Sequence, residues 1–122
     1  MDDVWTFKVI GPPVPYQRAG RAGAVTYTPK RSREYRKAIA LAAYGRLPPV
    51  WPMLGRYWLS IDVAFADRNR RDLDNMGKQV MDALNGIAWR DDSQVDRLDV
   101  LRNSPDKANP HMIVTIRLAP EK

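Results

Sequence analysis

Apolar and polar positions alternate along several stretches of the chain and recur at helical spacing along two others. Trp5, Phe7 and Val9 alternate with Thr6 and Lys8, the period of a half-buried strand, and GPPVP ends it because proline lacks the amide donor a sheet ladder needs. Tyr57, Leu59, Ile61, Val63 and Phe65 give the clearest strand, with Trp58, Ser60 and Asp62 on its other face. A last strand from Met112 to Leu118 sets Met112, Val114, Ile116 and Leu118 against Ile113, Thr115 and Arg117, and Gln94 to Leu101 also suits a strand.

Helical spacing appears after Thr28-Pro29, where Tyr35, Ile39, Ala42 and Ala43 share a face closed by Gly45, with Thr or Ser as the expected N-cap. It appears again from about Asn75 to Asn85, where Met76, Val80, Ala83 and Leu84 point inward and Asn85-Gly86 is a stop signal. Gln17 to Gly23 reads as a glycine-containing basic loop before a short strand at Ala24 to Tyr27, Leu47 to Gly55 as a proline-rich connector, and RDDSQ as a polar turn. The order β, short β, α, long β, α, β, β predicts an α/β (α+β) domain spanning residues 1–122. Two helices pack on a mixed sheet of about four to five strands.

Composition narrows the chemistry. The chain has 122 residues, no cysteine and a single histidine, His111, so thiolate metal sites, disulfides, Cys nucleophiles and multi-histidine zinc sites are excluded. The remaining metal ligands are oxygens. His111 precedes a strand and reads as structural or exposed. No apolar run nears the roughly 20 residues of a membrane span, and MDDVWTFKV is acidic and strand-like, unlike a signal peptide. A cytoplasmic, nucleoid-associated location and no membrane partner are expected.

Net charge is +6, and the excess is concentrated. Between Gly11 and Arg46 stand Arg18, Arg21, Lys30, Arg31, Arg33, Arg36, Lys37 and Arg46 against Glu34 alone, interleaved with Tyr16, Tyr27 and Tyr35. Such a field suits a polyanion, nucleic acid first among them. Arg18, Arg21, Lys30 and Arg33, together with Arg68, Arg70 and Arg71, are the candidate DNA contacts.

Against this background RNRRDLDNMGK, Arg68 to Lys78, keeps two carboxylates among arginines. In an extended segment Asp72 and Asp74 point the same way, and two like charges so held favour a shared hard cation such as Mg²⁺. The alternative is an N-cap for the following helix, with arginines neutralising the acids. Asp91 and Asp92 add a second acidic pair, which in a turn also reads as a turn-former, and which nears the first only if the sheet brings it there. Lys78 lies four residues from both Asp74 and Asp82, so it either pairs along the helix or offers its charge to a phosphate.

The combination R-D-L-D-N-x-x-K, a helix with x-D-A-L-x-G, and W-x-D-D-S-Q-V resembles the RusA family of Holliday-junction resolvases, small endonucleases often carried by prophages. GPPVP, the basic loop, T-Y-T-P-K and the long strand support the resemblance over most of the chain. It implies a RusA-like fold, a catalytic and metal-binding triad of Asp72, Asp74 and Asp92 (Asp91 being the alternative third ligand), and Lys78 as the motif lysine. It further implies Mg²⁺, for which Mn²⁺ can substitute, no organic cofactor, and a homodimer cutting four-way junction DNA in bacterial or prophage recombination and repair. The competing readings are a non-catalytic basic DNA-binding module and a less selective Mg²⁺-dependent nuclease.

Overall fold

A computed structural model describes residues 4–16, 20–22, 25–27, 29–46 and 54–120. In chain order the elements are β1 (Val4–Ile10), β2 (Gly20–Ala22), β3 (Val25–Tyr27), α1 (Lys30–Tyr44), β4 (Tyr57–Ala64), α2 (Leu73–Leu84), β5 (Val95–Arg102) and β6 (His111–Leu118), with a 3-10 turn at Asp92–Gln94.

The main sheet has the order β1-β6-β4-β5. β6 runs antiparallel to both β1 and β4, whereas β5 runs parallel to β4 because α2 carries the chain back along the sheet between them. The fold is thus mixed α+β, four strands and two helices, as the element pattern predicts. A separate ribbon pairs β2 with β3. Part of the stretch expected to be a loop is therefore strand: the glycine-containing sequence still permits pairing at Gly20 to Ala22, a contact that composition cannot reveal.

Alternation in the sequence maps onto one covered face. Tyr57, Leu59, Ile61 and Val63 of β4, Met112, Val114 and Ile116 of β6, and Phe7 and Val9 of β1 are buried together with Tyr35, Ile39 and Ala43 of α1 and Met76, Val80, Ala83 and Leu84 of α2. Burial of this apolar surface is the main force holding the helices to the sheet. Burial also raises the Tyr35 hydroxyl well above its ordinary pKa. The opposite face, with Trp58, Ser60, Asp62 and Thr115, stays partly open.

One polar group crosses this core and is fully paired. Gln79, 0% exposed, accepts from the Ser32 hydroxyl (3.1 Å) and Arg36 Nε (3.0 Å) and donates to the Val14 and Ser32 carbonyls (3.2 Å each). It joins α1, α2 and the proline loop at one point. Nothing in the periodicity marks it.

Helix ends differ from expectation in instructive ways. The residue preceding α1 is Pro29, with no side-chain cap; Ser32, an expected cap type, is instead drawn inside to Gln79, and Thr28 lies outside the described residues. α2 begins at Leu73, earlier than the spacing of its apolar residues suggests, since Asp72 caps it. Its end is as expected: Asn85 closes the helix and Gly86 takes φ +82°, a left-handed conformation glycine adopts without strain.

Candidate active site

The segment between β4 and α2 is braced before it reaches the acids. Phe65 is buried, and the guanidinium groups of Arg71 and Arg102 lie 4.6 and 5.1 Å from its ring centre. Arg71 also makes a forked ion pair with Asp67 (2.6 and 3.2 Å), and this hydrogen bonding holds the Asp67 carboxyl below its ordinary pKa. Arg102, at the end of β5, donates to the carbonyls of Asn69 (3.2 Å) and Arg71 (3.4 Å). Arg71 is therefore committed to the segment's own structure, whereas Arg68 and Arg70 are exposed.

Asp72 and Asp74 follow. Asp72 Oδ1 accepts the Asp74 backbone N–H (2.9 Å), and its Oδ2 accepts from the Asn75 amide (3.2 Å). So the cap role holds for Asp72, and Asp74 sits in the first turn of α2 rather than in an extended segment. The two acids nevertheless line one open depression of about 500 Å³ with Arg70, Arg71 and Leu73. Among the described residues no side chain engages the Asp74 carboxylate. Two oxygen donors facing solvent beside cationic walls suit a hard divalent ion that retains water and takes further ligands from phosphate.

A second wall comes from the proline loop. Tyr16 N–H donates to the Asn75 carbonyl (3.0 Å), fastening GPPVPY to the start of α2. Over the Tyr16 ring lie Lys78 Nζ at 4.7 Å and the Arg36 guanidinium at 5.6 Å. Lys78 also pairs with Asp82 at 3.6 Å, so of its two possible helical partners it takes the one away from Asp74. It remains half exposed, one helical turn beyond Asp74. An adjoining depression of about 270 Å³ is lined by Pro12, Pro15, Tyr16, Arg31, Phe65 and Arg71.

The other acidic pair lies elsewhere. Asp91 caps the 3-10 turn: its carboxylate accepts from Ser93 N–H (3.0 Å), and the Gln94 side chain accepts in return from the Asp91 N–H (3.1 Å). Hydrogen bonding from Ser93 lowers the Asp91 pKa. Asp92 is half-buried, and no described side chain engages its carboxylate.

This turn is held by Gln94 Nε2 on the Gly55 carbonyl (2.8 Å) and by Arg56, which donates to the Ser93 carbonyl (2.8 Å) and pairs with Asp96. These contacts place it beside the start of β4, whereas Asp72 and Asp74 follow its end. Parallel β5 separates the two, and its eight residues extend about 23 Å. The sheet therefore does not bring Asp92 to the first pair within one chain. Among the described residues no three acidic or histidine side chains converge to hold a metal.

Of the basic candidates, Lys30 pairs with Glu34 at 3.7 Å and Arg33 is exposed on α1. Arg18 lies outside the described residues, and of Arg21 only its backbone place in β2 is described. His111 Nδ1 meets the Asn109 carbonyl at 2.8 Å, a turn contact, and His111 lies opposite Ala64 at the end of β4. Tyr16, Arg36 and Arg102 are the residues sequence reasoning did not single out for this site. A tyrosine among cations directly after a proline run was the available signal for Tyr16.

The sequence matches the model of the RusA endodeoxyribonuclease family, described as Endodeoxyribonuclease RusA, over residues 11–117. No curated protein matches the chain.

Proposed function

Since the chain belongs to the RusA endodeoxyribonuclease family, whose members are nucleases, we propose that it resolves four-way DNA junctions by metal-dependent hydrolysis of phosphodiester bonds. The observation that carries this reading is the depression that Asp72 and Asp74, the latter engaged by no described side chain, line together with Arg70 and Arg71. Arginines draw phosphate toward the depression, and the carboxylates keep its floor negative, a combination with no use in a plain DNA-binding surface.

Asp72 and Asp74 would hold Mg²⁺ or Mn²⁺, which on binding activates water for attack and stabilises charge on the leaving oxygen. The N-cap hydrogen bond orients Asp72, so its free lone pairs point where the first turn of α2 directs them. Lys78, steadied against the Tyr16 ring, offers a cation to the scissile phosphate as negative charge develops there. Asp92 would be the third ligand. Because one chain keeps it about 23 Å of strand away from the first pair, a homodimer in which a second copy presents its Asp92 completes the site.

A labelled synthetic four-way junction and a linear duplex, each incubated with wild type and Asp74→Asn in Mg²⁺ and in EDTA, test the reading. Wild type should place paired symmetric nicks in the junction alone, and only with metal. Asp74→Asn should lose cleavage by about 10³-fold or more while junction affinity stays the same or rises, since a negative charge facing phosphate is gone. Tight binding without cleavage in any metal would identify a DNA-binding module instead, and equal cutting of the duplex an unselective nuclease.

A further inference from the structure

The proline loop is fastened along its whole length. Gly11 N–H donates to the Pro110 carbonyl (3.0 Å), Tyr16 N–H to the Asn75 carbonyl (3.0 Å), and Gln79 Nε2 to the Val14 carbonyl (3.2 Å). Pro13 and Val14 are buried, whereas Pro12 is exposed and Pro15 half-buried. Proline fixes its own φ, so this wall is rigid before any ligand arrives. Facing it across the depression of about 270 Å³ are Ala66 and Arg71, which follow β4, and Arg31 of α1. We propose that this depression receives one nucleobase, swung out of its stack at the crossing of a four-way junction, while the adjoining phosphate lies over Asp72 and Asp74.

Size and chemistry select a base. At about 270 Å³ the space falls just under the roughly 300–1,000 Å³ of drug-sized pockets, which suits a single ring system. Pro12, Pro15 and Tyr16 give it apolar walls, and its charged side chains, Arg31 and Arg71, are donors only; no carboxylate or amide side chain lines it. A bare phosphate would leave the apolar walls unused, and a hydrocarbon would leave the guanidinium groups unmatched. A base offers flat faces to the former and ring nitrogens or carbonyl oxygens to the latter. Arg31 is exposed, and among the described residues none pairs with its guanidinium, so it is free to meet a base edge. Arg71 is held by Asp67 and stacked on Phe65, so its plane is set in advance. Because Arg71 lines this depression and the acidic one alike, a base and its own phosphate can occupy both at once.

Such a pocket would discriminate between DNA structures. Drawing a base out of a continuous duplex sacrifices its stacking and pairing, a cost that falls where the stack is already interrupted, as at a strand crossing. A duplex then keeps its bases, and a junction yields one. This site deepens the function proposed above and rests on the reading that Asp72 and Asp74 act on the scissile phosphate.

Base capture can be followed without cleavage. Synthetic four-way junctions carrying the fluorescent adenine analogue 2-aminopurine at single positions around the crossing are titrated with wild type in EDTA, with fluorescence anisotropy of an end label reporting binding. The analogue brightens when it leaves the stack, so one position should brighten severalfold on saturation, and no position in a linear duplex should. Ala66→Leu fills the pocket and should abolish the rise on junctions that are still bound. Arg31→Ala, on the exposed surface of α1, should diminish it and raises no question of folding. A saturated wild-type complex with no brightening, or either variant brightening as wild type does, would overturn the proposal, as would variants that no longer bind the junction, since the pocket would then grip the backbone. Cleavage in Mg²⁺ without brightening would leave the nuclease reading standing, and brightening without cleavage in any metal would sink that reading while upholding the pocket.

Discussion

Two acidic turns in this protein are built alike and differ in what they leave free. In each, the first acid caps a helical turn by accepting the backbone N–H two residues on, Asp72 from Asp74 and Asp91 from Ser93. In each, the next acid, Asp74 or Asp92, lies in the first turn, and no described side chain engages it. At the α2 end the capping acid still faces the open depression with its partner, so both carboxylates are available there. At the other end Asp91 is tied into a reciprocal capping box, and only Asp92 is left to offer. The lesson is that a carboxylate's neighbours in sequence do not tell its role, whereas the surface it opens onto, shared with a second acid, does.

The sharpest way to break the parallel is to neutralise each acid of the second turn separately. Asp92→Asn should lower junction cleavage by about 10²- to 10³-fold at unchanged folding, as loss of a group acting on transition-state charge does. Asp91→Asn should leave cleavage near wild type. If Asp92 acts across a dimer, an equimolar mixture of Asp74→Asn and Asp92→Asn should regain nicking at about a quarter of the sites. Half the dimers are then mixed, and one of their two sites carries every acid. Strand-specific nicking on a sequencing gel checks this, and a mixture as dead as its parts would return Asp92 to its own chain.

The α2 end also depends on an anchor the other turn lacks. Gln79, in the second turn of α2, holds Ser32, Arg36 and the Val14 carbonyl in a buried network. Gln79→Leu keeps bulk but strands those partners, and should cost about 2–3 kcal/mol of unfolding free energy in a urea titration. Because the same network sets the proline loop against α2, Tyr16 should loosen with it. A variant as stable as wild type would mean that water replaces the lost bonds.

Much of this arrangement could be read from residue spacing. The alternation from Tyr57 to Phe65 located β4, apolar spacing located both helices, and Asn85-Gly86 marked the end of α2. The motif around Asp72 and Asp74 pointed to the right strand-to-helix junction. Start positions were less visible, because a cap is decided by which side chain reaches an amide: Asp72 rather than a later residue, Pro29 rather than Thr or Ser. The distance from Asp92 to the first pair was not legible at all. It follows from β5 running parallel to β4, a pairing between residues some forty positions apart that no local pattern encodes.

The smallest expected effect separates the two caps by pH. The Asp91 pKa is lowered in the folded protein because Ser93 donates to its carboxylate. A group whose folded pKa is depressed stabilises the fold above its unfolded value and loses that contribution as pH falls through the folded value. The stability difference between wild type and Asp91→Asn should therefore be present at neutral pH, shrink once pH drops below the ordinary carboxylate range, and vanish in stronger acid. Being fully exposed, the group should move Tm by no more than a few degrees. Thermal unfolding followed by circular dichroism at a series of pH values reads this directly. A difference independent of pH would mean that the carboxylate's charge contributes nothing, and that Asp91 stabilises the turn only through the geometry of its hydrogen bonds, which asparagine reproduces in part.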